Sequence, residues 1–279
     1  MADGKGGMNN LLLRVLTAAL LAPLVFYLTW KGGVAFQLMV LAAIGAALFE
    51  YLAMVEGRAS PVSFALTWGA GMALAVVSTT SFFHQYAWAL LVPGVMILLL
   101  VHLLIPGQRP ASFERAALAV TGVFYVGALP ACLLHLRQLE HGWALVFLAM
   151  MITWGSDTAA YFVGRSLGRR KLYPAVSPGK TWEGSAGGLL GAVGAALLAR
   201  ATFLPELGMG HAVAVALLAG VLAQLGDLVE SLLKRNMGVK DSGRLLPGHG
   251  GMLDRIDALI FAVPAVWLYV SLIIGWKVT

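Results

Sequence analysis

Charge is what this chain has least of. Only 11% of its 279 residues are Asp, Glu, Lys or Arg, against about 25% in a soluble protein. Hydrophobic residues make up 59%, and the mean hydropathy is +0.84. The shortage of charge excludes an ordinary soluble domain and implies a polytopic membrane protein. Cysteine is nearly absent too: the single Cys132 excludes an internal disulfide and, set in an apolar run, reads as a packing residue. The histidines at 84, 102, 135, 141 and 211 lack metal-ligand spacing. No internal repeat or low-complexity segment is evident. No small-residue cleavage site follows the first apolar run, so that run, with Arg14 at its start, is expected to be a retained span. The first ten residues read as a flexible tail.

What is there in quantity is apolar sequence. A helix needs about 20 apolar residues to cross a bilayer, and nine stretches qualify, near 11–30, 34–55, 63–83, 87–105, 116–136, 143–164, 182–204, 210–233 and 256–276. The expected fold is therefore all-α, with about nine transmembrane helices. Nine spans put the amino terminus and every second loop on one face, and that face receives 15 of the 19 basic residues. Positive loops stay inside, so the amino terminus is expected in the cytoplasm and the carboxyl terminus outside. The net charge of +6 is explained by these short loops, which argues against nucleic acid as a partner.

The two halves of the chain differ. Residues 1–145 read as a scaffold of about five plain apolar spans, with polar residues such as Glu50 and Glu56 near span ends. From 146 to 279 polar residues enter the spans, and two charged cytoplasmic loops, 165–182 and 234–255, separate them. The densest run, Ser231 to Asp257, carries Lys234, Arg235, Lys240, Asp241, Arg244, Asp254, Arg255 and Asp257, with Glu230 just ahead of it. Charge wedged between apolar spans is costly unless it binds something charged. Gly248, Gly250 and Gly251 around His249 permit a tight turn whose amides aim at an anion, and His249 is a candidate phosphate or nucleotide contact.

Carboxylates also enter the spans. Asp157 lies about two turns before Arg165, and Asp227, Glu230, Ser231 and Lys234 share one helical face, as do Asp254 and Asp257. The topology places Asp157, Asp227, Asp254 and Asp257 at the cytoplasmic ends of their spans. Acids that meet there repel unless a cation sits among them, and hard oxygen ligands suit Mg²⁺. A surface salt-bridge network with Lys234, Arg235 and Arg255 is the plainer alternative. In the other loop, Gly179–Lys180–Thr181 is similar to the end of a P-loop, but that motif needs a glycine where Pro174 stands and a strand where a membrane helix is expected. Ser177, Lys180 and Thr181 still offer phosphate donors beside a helix starting near Thr181. The glycines at 184, 187, 188, 191 and 194 read as close helix packing.

These pieces resemble a known family. The S-x-x-K-R, K-D and H-G-G-x-x-D-R-x-D elements between Ser231 and Asp257, with GSDTAAYFVGRSLGRRKLYP and SPGKTWEG upstream, resemble the signature of the phosphatidate cytidylyltransferases, or CDP-diacylglycerol synthases. The match is specific over about 155–257; the first 145 residues match only in being apolar. The resemblance implies a multi-pass enzyme of the bacterial inner membrane, its site facing the cytoplasm, that converts CTP and phosphatidate to CDP-diacylglycerol and pyrophosphate. It further implies Mg²⁺, with a monovalent cation as a possible assistant, and a homodimer. Asp227 and Asp254 would hold the metal, with Asp257 and Asp157 as further acids, and Lys240 would join Asp227 and Asp254 in catalysis. Ser177, Lys180, Thr181, Lys234, Arg235, Asp241, His249, Gly250, Gly251 and Arg255 would bind substrate.

Two other readings compete. Intramembrane acids also mark transporters, but those place their sites near the midplane between repeats, whereas here the charges gather at one face. A membrane kinase that uses CTP to phosphorylate a polyprenol is the nearer rival.

Overall fold

The computed structural model describes residues 17, 19–55, 60–104, 112–246, 248 and 250–278. The expected amino-terminal tail, Glu56, Arg109 and His249 lie outside the described residues. The elements in order are α1 (Ala19–Lys31), α2 (Gly33–Val55), α3 (Pro61–Val77), α4 (Ser81–Leu104), α5 (Ser112–Gly122) with a π-helical continuation Val123–Ala128, and α6 (Leu129–Gln138). Then follow α7 (Gly142–Leu167), strands β1 (Lys171–Tyr173) and β2 (Ser177–Thr181), α8 (Trp182–Thr202), α9 (Met209–Asn236) and α10 (Leu253–Tyr269), which ends in a π turn, Val270–Ile274. Among the described residues seven helical stretches are long and apolar enough to cross a membrane, and α1 and α3 are shorter apolar helices. Side chains that a soluble protein would hide point outward along these helices: Leu190 is 76% exposed and Trp88 79%. Such surfaces belong against lipid, so the chain is a predominantly helical polytopic membrane protein.

Within this helical chain the expected loop at 165–182 needs one correction. Residues 165–182 are not simply a loop: α7 runs on to Leu167, and β1 and β2 pair antiparallel, with Lys171 opposite Thr181 and Tyr173 opposite Ser177. Gly179–Lys180–Thr181 lies within β2 itself, the strand ahead of Pro174 is the three-residue β1, and the P-loop glycine is absent. Pro174 removes a backbone donor, and the bend it opens turns the chain back on itself. A second adjustment concerns Lys234 and Arg235, which lie on the last turn of α9 rather than in a loop.

Two compact units are distinguished. The first comprises residues 1–131 and 241–255. Its core is the apolar stripe of α2, where Phe36, Val40, Ile44, Leu48, Tyr51 and Leu52 are all buried. Tyr51 donates its hydroxyl to Leu118 O at 2.9 Å, and its ring lies where a Cβ on Gly122 would stand, 2.6 Å away. Gly127, in the π-helical stretch, lets backbone meet backbone: a Cβ there would be 3.0 Å from Gly71 Cα.

The second unit comprises residues 132–240 and 256–279, and its spine is the pairing of α7 with α8. The small-residue spacing does what helix packing in a membrane requires. A Cβ on Gly187 would sit 2.6 Å from Val163 Cβ, and one on Gly184 2.9 Å from Ala160 O. Gly194 departs from this reading, since nothing lies within 4 Å of its Cβ position. At one end of the unit, Glu140 N donates to Lys277 O at 2.9 Å and His141 Nδ1 lies 3.9 Å from Glu206 Oε2. At the other end, Arg235 Nε donates to Val176 O at 3.4 Å, which ties α9 to the β-hairpin.

Candidate active site

The hairpin end of the second unit carries the pocket. It has a volume of about 520 Å³ and is lined by Asp157, Tyr161, Arg165, Ser177, Lys180 and Asp227, among others. That falls within the usual range for small-ligand sites. Thr181 is the N-cap of α8 and accepts from Gly184 N at 3.1 Å. Glu183 in the first turn accepts from the amides of Arg169 and Arg170 at 3.0 and 3.2 Å, so the hairpin and helix start are held as one piece. Thr181 thus serves the helix with its side-chain oxygen as an acceptor.

Lys180 projects from β2 and pairs with Asp227 on α9, Nζ to Oδ2 at 2.6 Å. Ser231, one turn on, donates to Asp227 Oδ1 at 3.3 Å, and Lys234 pairs with the fully buried Glu230 at 2.5 Å. The charged stripe read from the sequence is therefore one face of α9. Asp257 is brought close by Gly226, whose missing Cβ would lie 2.8 Å from Asp257 O. Asp157 and Asp257 both feel the charge of Asp227; Asp157 also feels Lys180, and Asp257 feels Lys234. Three acids and two lysines therefore share one electrostatic field at the hairpin end. Among the described residues no three His, Cys, Asp or Glu side chains gather closely enough to enclose an ion by themselves.

Ser185 and Gln224 also line the pocket; Ser156 and Gln224 stand among the polar residues that the sequence places within the spans, whereas Ser185 is not singled out by sequence reasoning. Ser185 donates to Gln224 Oε1, and Gln224 Nε2 reaches Ser185 O at 3.1 Å and Ser156 Oγ at 3.4 Å. The available signal for Ser185 was a hydroxyl one turn after Thr181 on the same helix.

Asp254 belongs to the first unit, at the start of α10. Its Oδ2 accepts from Ser242 N, Ser242 Oγ and Gly251 N, each at 3.0 Å. Gly248 and Gly250 take positive φ, +77° and +82°, and Leu246 bridges Gly250, so the glycines do build the tight turn expected of them. The amide of Gly251, however, points at Asp254 rather than into open space. Lys240, Asp241 and Arg255 are exposed.

Asp157, Asp227, Arg165 and Lys180 line one pocket at one end of a membrane helix bundle, a setting suited to a charged ligand. The whole-chain comparison narrows this: residues 12–273 match the model of the cytidylyltransferase family, and the chain belongs to that family. It is 38% identical over 264 residues to the phosphatidate cytidylyltransferase of Brucella suis biovar 1 (strain 1330), covering 94% of each chain. It is 33% identical over 265 residues to that of Bacillus subtilis (strain 168), covering 93% of this chain and 97% of the relative. The Haemophilus influenzae phosphatidate cytidylyltransferase is 44% identical over 146 residues, about half of each chain.

Proposed function

We propose that this chain catalyses the reaction for which its relatives are named, transfer of the cytidylyl group of CTP to phosphatidate. The observation that carries the reading is Lys180 paired to Asp227 at 2.6 Å in a pocket of about 520 Å³, within a chain that matches the cytidylyltransferase family from residue 12 to 273. A phosphate oxygen of the lipid attacks the α-phosphorus of CTP. The bond from that phosphorus to the bridging oxygen breaks, and pyrophosphate leaves with the electron pair. No general base is needed, because a phosphate monoester is already ionised near neutral pH. The residues' task is to bring two polyanions together and neutralise charge as it moves to the leaving group. Lys180 is placed for this on the pocket wall; Arg165 lines the same pocket and Lys234 and Arg235 follow along α9. Ser177, also in the pocket lining, is a further phosphate donor.

A divalent cation fits the donor set. Mg²⁺ is usually held by one or two carboxylates plus substrate phosphates rather than by a closed protein cage, and Asp227 with Asp157 and Asp257 in its field supplies such a partial set. Asp254 is a candidate ligand through the family resemblance. When bound, the ion would neutralise and orient phosphate oxygens. The reading extends to nine spans, with the hairpin end in the cytoplasm. Arg165, Arg169, Arg170, Lys171, Lys180, Lys234, Arg235 and Lys240 collect toward that end of the second unit, against Arg137, Arg200 and Lys277 elsewhere in it, and positive residues stay inside. Localisation to a bacterial inner membrane and a homodimeric state complete the proposal.

The test is purified protein in detergent with α-labelled CTP, phosphatidate and Mg²⁺. Label must enter lipid. Label left in soluble CDP would indicate a CTP-dependent kinase instead, and intact CTP would indicate a transporter.

A further inference from the structure

The first unit holds a buried acid that the reaction does not use directly. Glu50, on the penultimate turn of α2, is only 4% exposed. Its Oε2 accepts from Leu253 N at 3.0 Å and from Ser242 Oγ at 3.2 Å, so both ends of the segment 242–253 converge on one carboxylate oxygen. Ser242 Oγ lies 3.0 Å from Asp254 Oδ2 as well. One hydroxyl therefore sits between two carboxylates. The segment can approach this closely because it lacks side chains where Glu50 lies. A Cβ on Gly243 would overlap Glu50 Oε1, and one on Gly251 would lie 2.5 Å from Glu50 Oε2. Neither glycine has a positive φ, so what each supplies is room rather than an unusual backbone conformation.

We infer that Glu50 is a positioning residue for Asp254, clamping the Ser242–Leu253 segment through the Ser242 hydroxyl and the Leu253 amide so that the Ser242 and Gly251 amides stay in register on Asp254. A carboxylate buried on an apolar span is expensive, and helix packing alone does not require one, since an apolar side chain would fill the same space. What the acid adds is an acceptor strong enough to hold two donors, one at each end of a segment with four glycines in twelve residues. This role rests on the proposed function only in its kinetic consequence. The clamp itself is a statement about the fold.

The experiment compares full-length wild type, Glu50→Ala, Glu50→Gln and Ser242→Ala in detergent, by hydrogen–deuterium exchange and by the labelled-CTP assay across a Mg²⁺ titration. In Glu50→Ala, exchange over 242–253 should rise at least about tenfold while the α7–α8 amides stay protected. Turnover should fall at least about tenfold, the Mg²⁺ needed for half-maximal activity should rise several-fold, and KM for CTP should stay within about twofold. Glu50→Gln, which keeps one acceptor oxygen, should recover most of the protection. Unchanged exchange over 242–253 in Glu50→Ala would overturn the clamp. Raised exchange with an unchanged Mg²⁺ dependence would overturn the positioning role. If Glu50→Ala does not accumulate in the membrane, Ser242→Ala decides: wild-type turnover and wild-type Mg²⁺ dependence would sink the proposal. A wild type that makes no CDP-lipid would refute the assigned reaction while leaving the exchange comparison intact.

Discussion

Asp227 and Asp254 are the same side chain held in two different ways. Asp227 lies on a long helix, and its Oδ2 is paired with the ammonium of Lys180 at 2.6 Å. Asp254 opens a helix, and its Oδ2 is held by the backbone amides of Ser242 and Gly251, with the Ser242 hydroxyl it shares with Glu50 beside them. A lysine is a compact, mobile charge that a substrate phosphate can compete for, so the first arrangement can be rearranged by an incoming polyanion. Backbone amides fixed by a turn cannot leave, so the second keeps one geometry. One unit thus carries an adjustable acid and the other a fixed one.

The comparison breaks most sharply if either acid is neutralised. Asp227→Asn and Asp254→Asn should each lower turnover by about a hundredfold or more, on the scale of losing a charge contact made in the transition state. Both should still insert and elute as folded protein, because the apolar helices do not depend on these charges. Normal turnover in both would remove them from the chemistry. Removing divalent ions with a chelator should likewise abolish labelled lipid, and restoring Mg²⁺ should recover it; activity that survives chelation would contradict the metal assignment.

Lys180→Ala tests the adjustable side. Loss of a charged hydrogen bond is worth about 1.5–3 kcal/mol, so KM for CTP should rise roughly ten- to a hundredfold, with a smaller change for the lipid. An unchanged CTP dependence would take the hairpin out of the nucleotide site. Smaller effects follow in the helix pair beneath it. Gly187→Ala places a methyl 2.6 Å from Val163 Cβ and should destabilise by about 1–3 kcal/mol, seen as a lower melting temperature in detergent. Gly194→Ala meets nothing within 4 Å and should be neutral or stabilising by up to about 1 kcal/mol. Equal melting shifts in the two variants would contradict the packing described.

The local patterns were legible in the sequence. The Asp227, Glu230, Ser231, Lys234 stripe obeys helical spacing, and the structure makes it the pairs Ser231 to Asp227 and Lys234 to Glu230. The helix start near Thr181 follows from its cap chemistry. The hairpin was not legible, because Lys171–Tyr173 and Ser177–Thr181 are too short and too polar to show alternation, and only their register reveals them. Glu50 was read as a span-end residue of a scaffold, since its partners lie 192 and 203 residues away and no periodicity reaches that far. The usable hint was an acid set within an otherwise uncharged span, which is costly to leave unsatisfied.

That separation has a consequence for biosynthesis. Glu50 leaves the ribosome 192 residues before Ser242, which at about 5–20 residues per second is an interval of about 10–40 s. Throughout it, α2 sits in or near the bilayer with an acid whose donors, Ser242 and Leu253, have not yet been made. The nascent protein therefore stays without an ordered Asp254 until the last two helices have been translated, so competence arrives at the end of synthesis and all at once.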